Sequence, residues 1–291
     1  MASQFLQFLF SGLTVGATYA LAALGFSLIY NASNVINFAQ GEFIMLGGML
    51  TVFFINGGMP LPLAILLAIL IPAVAGVLLE RAAIEPAKDA DVVSLIIITI
   101  GASLVIRGVI QIWLGKGAHT FPAFTGSEPI AVAGATLLPQ SLWVFGVTAL
   151  IVVVLWLFFS RSLAGKAILA TSYNPLAAQL VGINTGWVLL VSYALSAAMG
   201  AVGGILLTPI TMTSYDVGIM LGLKGFVAAV VGGLGSGMGA VVGGLLVGIA
   251  EAMAAGYISS AYKDAVPFIL IFLILFFMPR GLFGARETER V

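Results

Sequence analysis

Apolar runs of roughly 20 residues recur along the whole of this 291-residue chain, and each is long enough to cross a hydrocarbon core of about 30 Å. Lipid then dictates the secondary structure. No water is present at that depth for backbone amides and carbonyls, so spanning segments must be helices that satisfy those groups internally. Spans are predicted over Phe5–Ile29, Leu61–Leu79, Val92–Leu114, Leu142–Phe159, Trp187–Leu207 and Ala265–Met278. With 61% of residues hydrophobic and 8% charged, no soluble domain of useful size remains. The expectation is a single transmembrane domain over residues 1–291, an all-α polytopic helical bundle of about seven to nine crossings.

Charge and cysteine content exclude several classes. Eleven basic and eleven acidic residues leave no net charge, which argues against nucleic-acid binding, and the absence of cysteine excludes disulfides and thiolate metal sites. The single histidine, His119, has no ligand companions, so no metal is expected. The first apolar run lacks a basic n-region and continues beyond a signal-peptide core, so it reads as a retained span.

Two apolar regions are interrupted. Asn34 to Ile55 carries Gln40-Gly41 and Gly47-Gly48, and Leu223 to Tyr257, too long for one upright span, carries eight residues from Gly232 to Gly239 of which five are glycine. Both read as discontinuous or re-entrant helices, whose loose backbone groups survive only against protein or a water-filled cavity. An ionised residue at a helix centre costs roughly 2.5–3.5 kcal/mol, so Asn37, Gln40, Gly41 and Glu42, with Gly232, Gly233, Gly235 and Gly237, are the candidates for a substrate path. The competing roles are structural. Asn37 and Gln40 can hydrogen-bond to neighbouring helices, Glu42 can cap a helix that begins after Gly41, and glycines four apart, such as Gly235, Gly239 and Gly243, can let helices approach closely. Gly235-x-Gly237-x-x-Ala240 matches a loose dinucleotide fingerprint, but it lacks the soluble βαβ context that motif requires.

The other charges have milder readings. Arg107 can snorkel or meet a carboxylate, Glu80 and Arg81 sit at an inner boundary close to water, and Glu251 can pair with a basic residue of this chain or another. Basic residues of short loops favour the cytoplasm. Placing Arg81 and Lys88, Arg161 and Lys166, and Arg280, Arg286 and Arg290 there puts the N-terminus and the 115–140 loop outside and the C-terminus inside. The 160–186 loop then faces the cytoplasm. Within it, Asn174-Pro175 is a good helix start and Gly182 a suitable stop, which predicts a short amphipathic helix at the inner membrane surface. Its role is either that of an ordinary interfacial helix or of a docking element.

The Ala177-Ala178-x-x-x-Gly182 core resembles the EAA loop of ABC importer permeases, with Leu176 where that motif has its acidic residue. Four further segments join it in order: Gly16-Ala17-Thr18-Tyr19-Ala20-Leu21 with Gly25, the Ile36–Gly48 stretch, Lys224-Gly225-Phe226 running into the glycines, and Pro279-Arg280-Gly281-Leu282-Phe283-Gly284. Over nearly its whole length the chain is similar to permeases of branched-chain amino acid ABC importers of the LivH type. That resemblance implies a bacterial inner-membrane subunit working with a sister permease of the LivM type, two ATPase subunits and a periplasmic solute-binding protein. It also implies that residues 174–182, with Asn174, Pro175, Ala177, Ala178 and Gly182, form the coupling helix that docks on an ATPase. The chain has no Gly-x-x-x-x-Gly-Lys-Ser/Thr string to cradle phosphates. No cofactor is expected in this chain; ATP and magnesium belong to the partner subunits. Related permeases serve urea, short amides and aromatic acids, so cargo stays open, as does a stand-alone channel or carrier for a small neutral solute. An intramembrane enzyme would need a nucleophile-base pair, which the spans do not offer.

Overall fold

The computed structural model describes residues 2–284. Eleven α-helices occur among them: α1 (Ala2–Ser33), α2 (Gln40–Asn56), α3 (Leu61–Leu79), α4 (Val92–Leu114), α5 (Pro139–Arg161), α6 (Leu163–Tyr173), α7 (Pro175–Leu180), α8 (Thr185–Thr211), α9 (Val217–Gly232), α10 (Gly237–Tyr257) and α11 (Val266–Phe277). The described sheet is one small antiparallel hairpin, β1 (Ile130–Val132) with β2 (Ala135–Leu137). Seven helical segments are long and apolar enough to cross a membrane, and α2 and α9 are shorter apolar helices. All six predicted spans are helices, α3 and α4 with the predicted bounds. Local chemistry sets several starts. Pro139 opens α5 and Pro267 lies in the first turn of α11, where a missing N–H costs nothing. Asp91 accepts the Ser94 N–H to cap α4, and the Ser94 hydroxyl helps hold that exposed carboxyl below its usual range.

α1 is the axis. Most of its apolar stretch is buried (89%), against 22% or less for the outer helices α3, α4, α5 and α11. α10 runs antiparallel to it on a glycine seam, since a Cβ at Gly12 would meet Ile249 and Gly248, and one at Gly16 would meet Gly244. Such seams let dispersion act at close range where lipid supplies no hydrophobic drive between helices. α8 also opposes α1, with Ser196 against Gly25 and Gly203 against Thr18 and Leu21. The apolar helices alternate in direction from α1 through α5 and from α8 to α11. Arg81, Lys88, Arg161, Lys166 and Arg280 therefore collect at one end of the bundle; Arg286 and Arg290 lie outside the described residues. The 115–138 segment sits at the other end, tied to the start of α1 by Gln7 Nε2 donating to the Thr136 carbonyl (3.0 Å) and to the end of α8 by the His119–Thr213 bridge.

The interruptions differ in detail from the sequence expectation. α1 continues to Ser33, and the chain turns back through residues 34–39. α2 then starts at Gln40, beside Gly25, inside the bundle rather than at its end. Gly41 lies in the first turn of α2, not before it. Gly47-Gly48 does not break the helix: a Cβ at Gly47 would fall on the Ala201 backbone and one at Gly48 on Thr208 Oγ1, so both glycines serve close packing on α8. The second region does divide, but α9 starts at Val217 instead of Leu223, and residues 233–236 separate it from α10. α9 also starts at depth, because a Cβ on Gly41 would land on the Gly218 carbonyl. The α1–α2 and α8–α9 units thus share one plan in opposite directions: a long helix, a short non-helical return, and a short helix that begins inside.

Gly204 illustrates how tight the α2–α8 contact is, since a Cβ there would fall on the Ile44 carbonyl. Gly204→Val is expected to cost about 1–3 kcal/mol, the usual range for overpacking. A lowered unfolding midpoint of the detergent-solubilised chain would register that cost.

Candidate functional site

The return at residues 34–39 is held by side chains. Asn37 Oδ1 accepts the Ala39 N–H (3.0 Å) and Thr99 Oγ1 of α4 accepts the Phe38 N–H (3.1 Å). Gln40 Nε2 donates to the Ser196 carbonyl (3.0 Å), while the Ser196 hydroxyl lies 2.6 Å from Gln40 Oε1 and 2.9 Å from the Gly25 carbonyl. A Cβ at Gly25 would strike the Gln40 side chain, which explains that glycine. Asn37 and Gln40 are fully buried. Their polar atoms face this chain's own helices, with Asn37 Nδ2 left unpartnered among the described residues.

Glu42 is not a helix cap. The N-cap of α2 is Ala39, which offers no side-chain bond, and the Glu42 carboxylate instead reaches α4. Its Oε1 accepts from Ser103 Oγ (2.8 Å) and from Arg107 Nε (3.2 Å) and Nη2 (2.5 Å). Arg107 therefore meets a carboxylate, one of the two roles read from the sequence. The pair joins the outer helix α4 to the body, since either charge alone at this depth would be expensive. Glu42 Oε2 has no partner among the described residues and lies against Gly218 in the first turn of α9. Asp216, immediately before α9, is within electrostatic reach of Glu42.

A second charge group, with Tyr19, Lys224 and Glu251 buried and Asp264 half exposed, lies elsewhere in the bundle. Tyr19 OH donates to Glu251 Oε2 (2.8 Å), and Lys224 Nζ donates to Glu251 Oε1 (2.7 Å) and to Asp264 Oδ1 (2.6 Å). The basic partner expected for Glu251 is thus Lys224 of this chain. Four segments, α1, α9, α10 and the 3-10 turn Ser260–Ala265, are tied at one point. Glu80 corrects the sequence reading, because it is buried rather than close to water. It opens a π-helical turn, Glu80–Ile84, and its Oε2 is unpartnered among the described residues. Arg81 does lie at the surface and pairs with Glu85 (2.5 Å).

The glycines at the α9–α10 break form a tight turn at the basic end. Gly233 (φ 106°) and Gly235 (φ 85°) adopt left-handed backbone that side chains disfavour. Gly232 ends α9, Gly237 begins α10, and Ser236 Oγ accepts the Gly239 N–H. Asn31 Nδ2 donates to the Gly235 carbonyl (2.8 Å), so the turn lies at the end of α1. Gln40 lies beside Gly25, six residues or about 9 Å nearer the middle. The two sets of candidate path residues are therefore not brought together. The Leu282 and Phe283 N–H groups donate to the Val231 and Gly232 carbonyls (2.9 and 2.8 Å), so the segment after α11 satisfies the end of α9.

The 160–186 segment holds two helices, α6 and the short α7. Asn174 Oδ1 accepts the Ala177 N–H (3.0 Å), Pro175 is the first helical residue, and Gly182 (φ 86°) terminates the turn. Ala178 faces inward and is buried, so it is not a docking surface. The outward residues are Leu176 and Leu180, 73% and 89% exposed, with Ala177 and Val181.

Comparison with known proteins adds to this geometry. Residues 8–275 match the family described as branched-chain amino acid transport system / permease component. The chain is 35% identical over the full length of both chains to the high-affinity branched-chain amino acid transport system permease protein LivH of Salmonella typhimurium. It is 34% identical to BraD of Pseudomonas aeruginosa, covering 99% of this chain and 98% of that one. The solved structure of PsaBC from Streptococcus pneumoniae in complex with Fab is similar in fold alone, with a TM-score of 0.51 at 14% identity over 96% of this chain and 97% of that chain.

Arg107→Met is expected to cost about 3–5 kcal/mol, because it leaves Glu42 as an uncompensated buried charge. Glu42→Gln/Arg107→Met should recover much of that loss. Denaturant unfolding of the single and double variants separates the two.

Proposed function

Because the chain belongs to the branched-chain amino acid transport system permease family, we propose that it is the membrane subunit of an ATP-driven importer carrying branched-chain amino acids across the bacterial inner membrane. Its partners are a sister permease of the LivM type, two ATPase subunits that bind ATP and magnesium, and a periplasmic solute-binding protein. The basic end of the bundle faces the cytoplasm, following the distribution of lysine and arginine in short loops.

The observation that carries this reading is α7. At the basic end, a capped helix presents Leu176 and Leu180 to solvent one turn apart, beside Val181. Exposed apolar side chains grouped in this way mark a protein or membrane contact, and an ATPase groove is the contact this family requires. Closure of the ATPases then pushes on α7, and through α6 and α8 on the bundle, exposing the cavity first outside and then inside.

The translocation path runs along the outer flank of α4, between this chain and its sister. α1 is enclosed, and Asn37, Gln40 and Glu42 face inward, whereas α4 is held to the body chiefly through α2. Its outward face carries Gly101 and Gly108, where an added Cβ would meet nothing. Glycine weakens a helix by about 1 kcal/mol relative to alanine, and two on one face, seven residues apart, suit close approach by another helix.

Leu176→Asp/Leu180→Asp should leave insertion and folding intact while lowering ATP-dependent amino-acid uptake by about tenfold or more, as expected for loss of interface anchors. Uptake in proteoliposomes containing the whole complex is the readout; a wild-type rate would remove α7 from the ATPase contact. Ala178→Asp is expected to destabilise the chain instead, since that site is buried.

A further inference from the structure

Asp216 is an exposed carboxylate in an unusual place. It directly precedes α9, whose first turn contacts the first turn of α2 through Gly218 and Gly41. From Gly41, α2 continues 15 residues to Asn56, about 22 Å. On the other side, the level of Gln40 lies eight residues of α1, from Gly25 to Ser33, inside the opposite end, about 12 Å. An exposed charge at that depth cannot face hydrocarbon without a cost of a few kcal/mol, so this flank borders water or another protein.

Arg107 shares the flank. Its side chain is 19% exposed, and while Nε and Nη2 are bound to Glu42 and Ser103, Nη1 makes no hydrogen bond among the described residues. Asp216 accepts from Ser214 Oγ through Oδ1 (2.6 Å), leaving Oδ2 open among the described residues. Glu42 lies between the two, bonded to Arg107 and within electrostatic reach of Asp216, with its own buried Oε2 unpartnered. A cation and an anion, each with an open valence, thus lie at the break before α9, on a flank that borders water or another protein.

We propose that Arg107 and Asp216 form the polar contact for the zwitterionic head of an amino acid in transit, the guanidinium meeting the α-carboxylate and Asp216 the α-ammonium. Arginine suits the first task because its fork matches carboxylate geometry. The side chain of the substrate is left to the apolar flank formed by α4 with Ile219 and Met220 of α9, which are exposed. Glu42 and Ser103 act as positioning residues that hold Arg107 in place. This inference rests on the importer reading and gives that path its chemistry: a neutral solute such as urea would need no separated charges.

The test uses the whole importer complex in proteoliposomes, with ATP-driven uptake of radiolabelled leucine measured beside the thermal midpoint of the complex. Wild-type uptake supports the importer reading; without it, that reading and this inference fall together. With it, Asp216→Asn is expected to lower uptake about tenfold, the loss of one charge-assisted hydrogen bond, at an unchanged midpoint, with Asp216→Glu restoring most of the rate. Glu42→Gln/Arg107→Gln, which leaves no lone buried charge, should show a similar loss. Wild-type uptake in both Asp216→Asn and the double variant would overturn the inference and leave the importer function standing. A loss that Asp216→Glu does not relieve, or that tracks a lowered midpoint, would overturn it too.

Discussion

Two helices that begin inside the bundle impose the conditions the rest of the structure meets. The first N–H groups of α2 and α9, and the non-helical backbone before each, lie where lipid could not satisfy them. Protein must do so at close range. Asn37 and Thr99 take N–H groups of the 34–39 return, and the bridge between Thr213 and His119 holds the chain at the end of α8. Gly41, Gly218 and Gly222 then let the two helix starts touch, because a Cβ on any of them would collide with the other helix. The discontinuities are therefore closely packed, and the outer helices are simpler.

Charge inside the bundle follows from the same arrangement. Two helix N-termini meeting face to face concentrate positive partial charge, and Glu42 offsets it while recruiting Arg107 from α4. The Tyr19–Glu251–Lys224–Asp264 group does comparable work for α9, α10 and the turn before α11. Buried ion pairs of this kind add little net stability over apolar packing, but they fix register because either charge alone is costly. They add to the apolar packing of α4, through Leu95 and Ile110, and of α11, through Leu270, Ile271 and Ile274.

What could be read from the sequence follows from what is local. Spans were legible because lipid demands uninterrupted apolar runs, and the start and stop of α7 because Asn174, Pro175 and Gly182 act within one turn. The direction in which α7 presents its residues was not: Ala178 packs inward and Leu176 outward because of α6 and α8, which local sequence does not encode. Gly47-Gly48 resembled a break, yet two glycines weaken a helix by only about 1 kcal/mol each, and contact with Ala201 and Thr208 outweighs that. The pairing of Glu42 with a residue 65 positions away could be anticipated only as a need. Asp216 lies ahead of the apolar run that begins at Leu223, so hydropathy alone does not point to it; Ser214 and Asp216 just before Val217-Gly218 form a helix-start signal that places the beginning of α9 correctly.

On this reading the α4 and α9 flank faces a watery path between subunits and not lipid. The chain contains no cysteine, so single cysteines introduced into it can be read after separating it from its partner subunits. Cysteines at Leu104, Gly108 and Met220 of the assembled complex, with others at Leu66 and Leu70 on the exposed face of α3, would be treated with a charged, membrane-impermeant thiol reagent. Reaction at the α4 and α9 positions, changing on addition of ATP, with none at α3, is the predicted result. Equal inertness on both faces would place the path elsewhere.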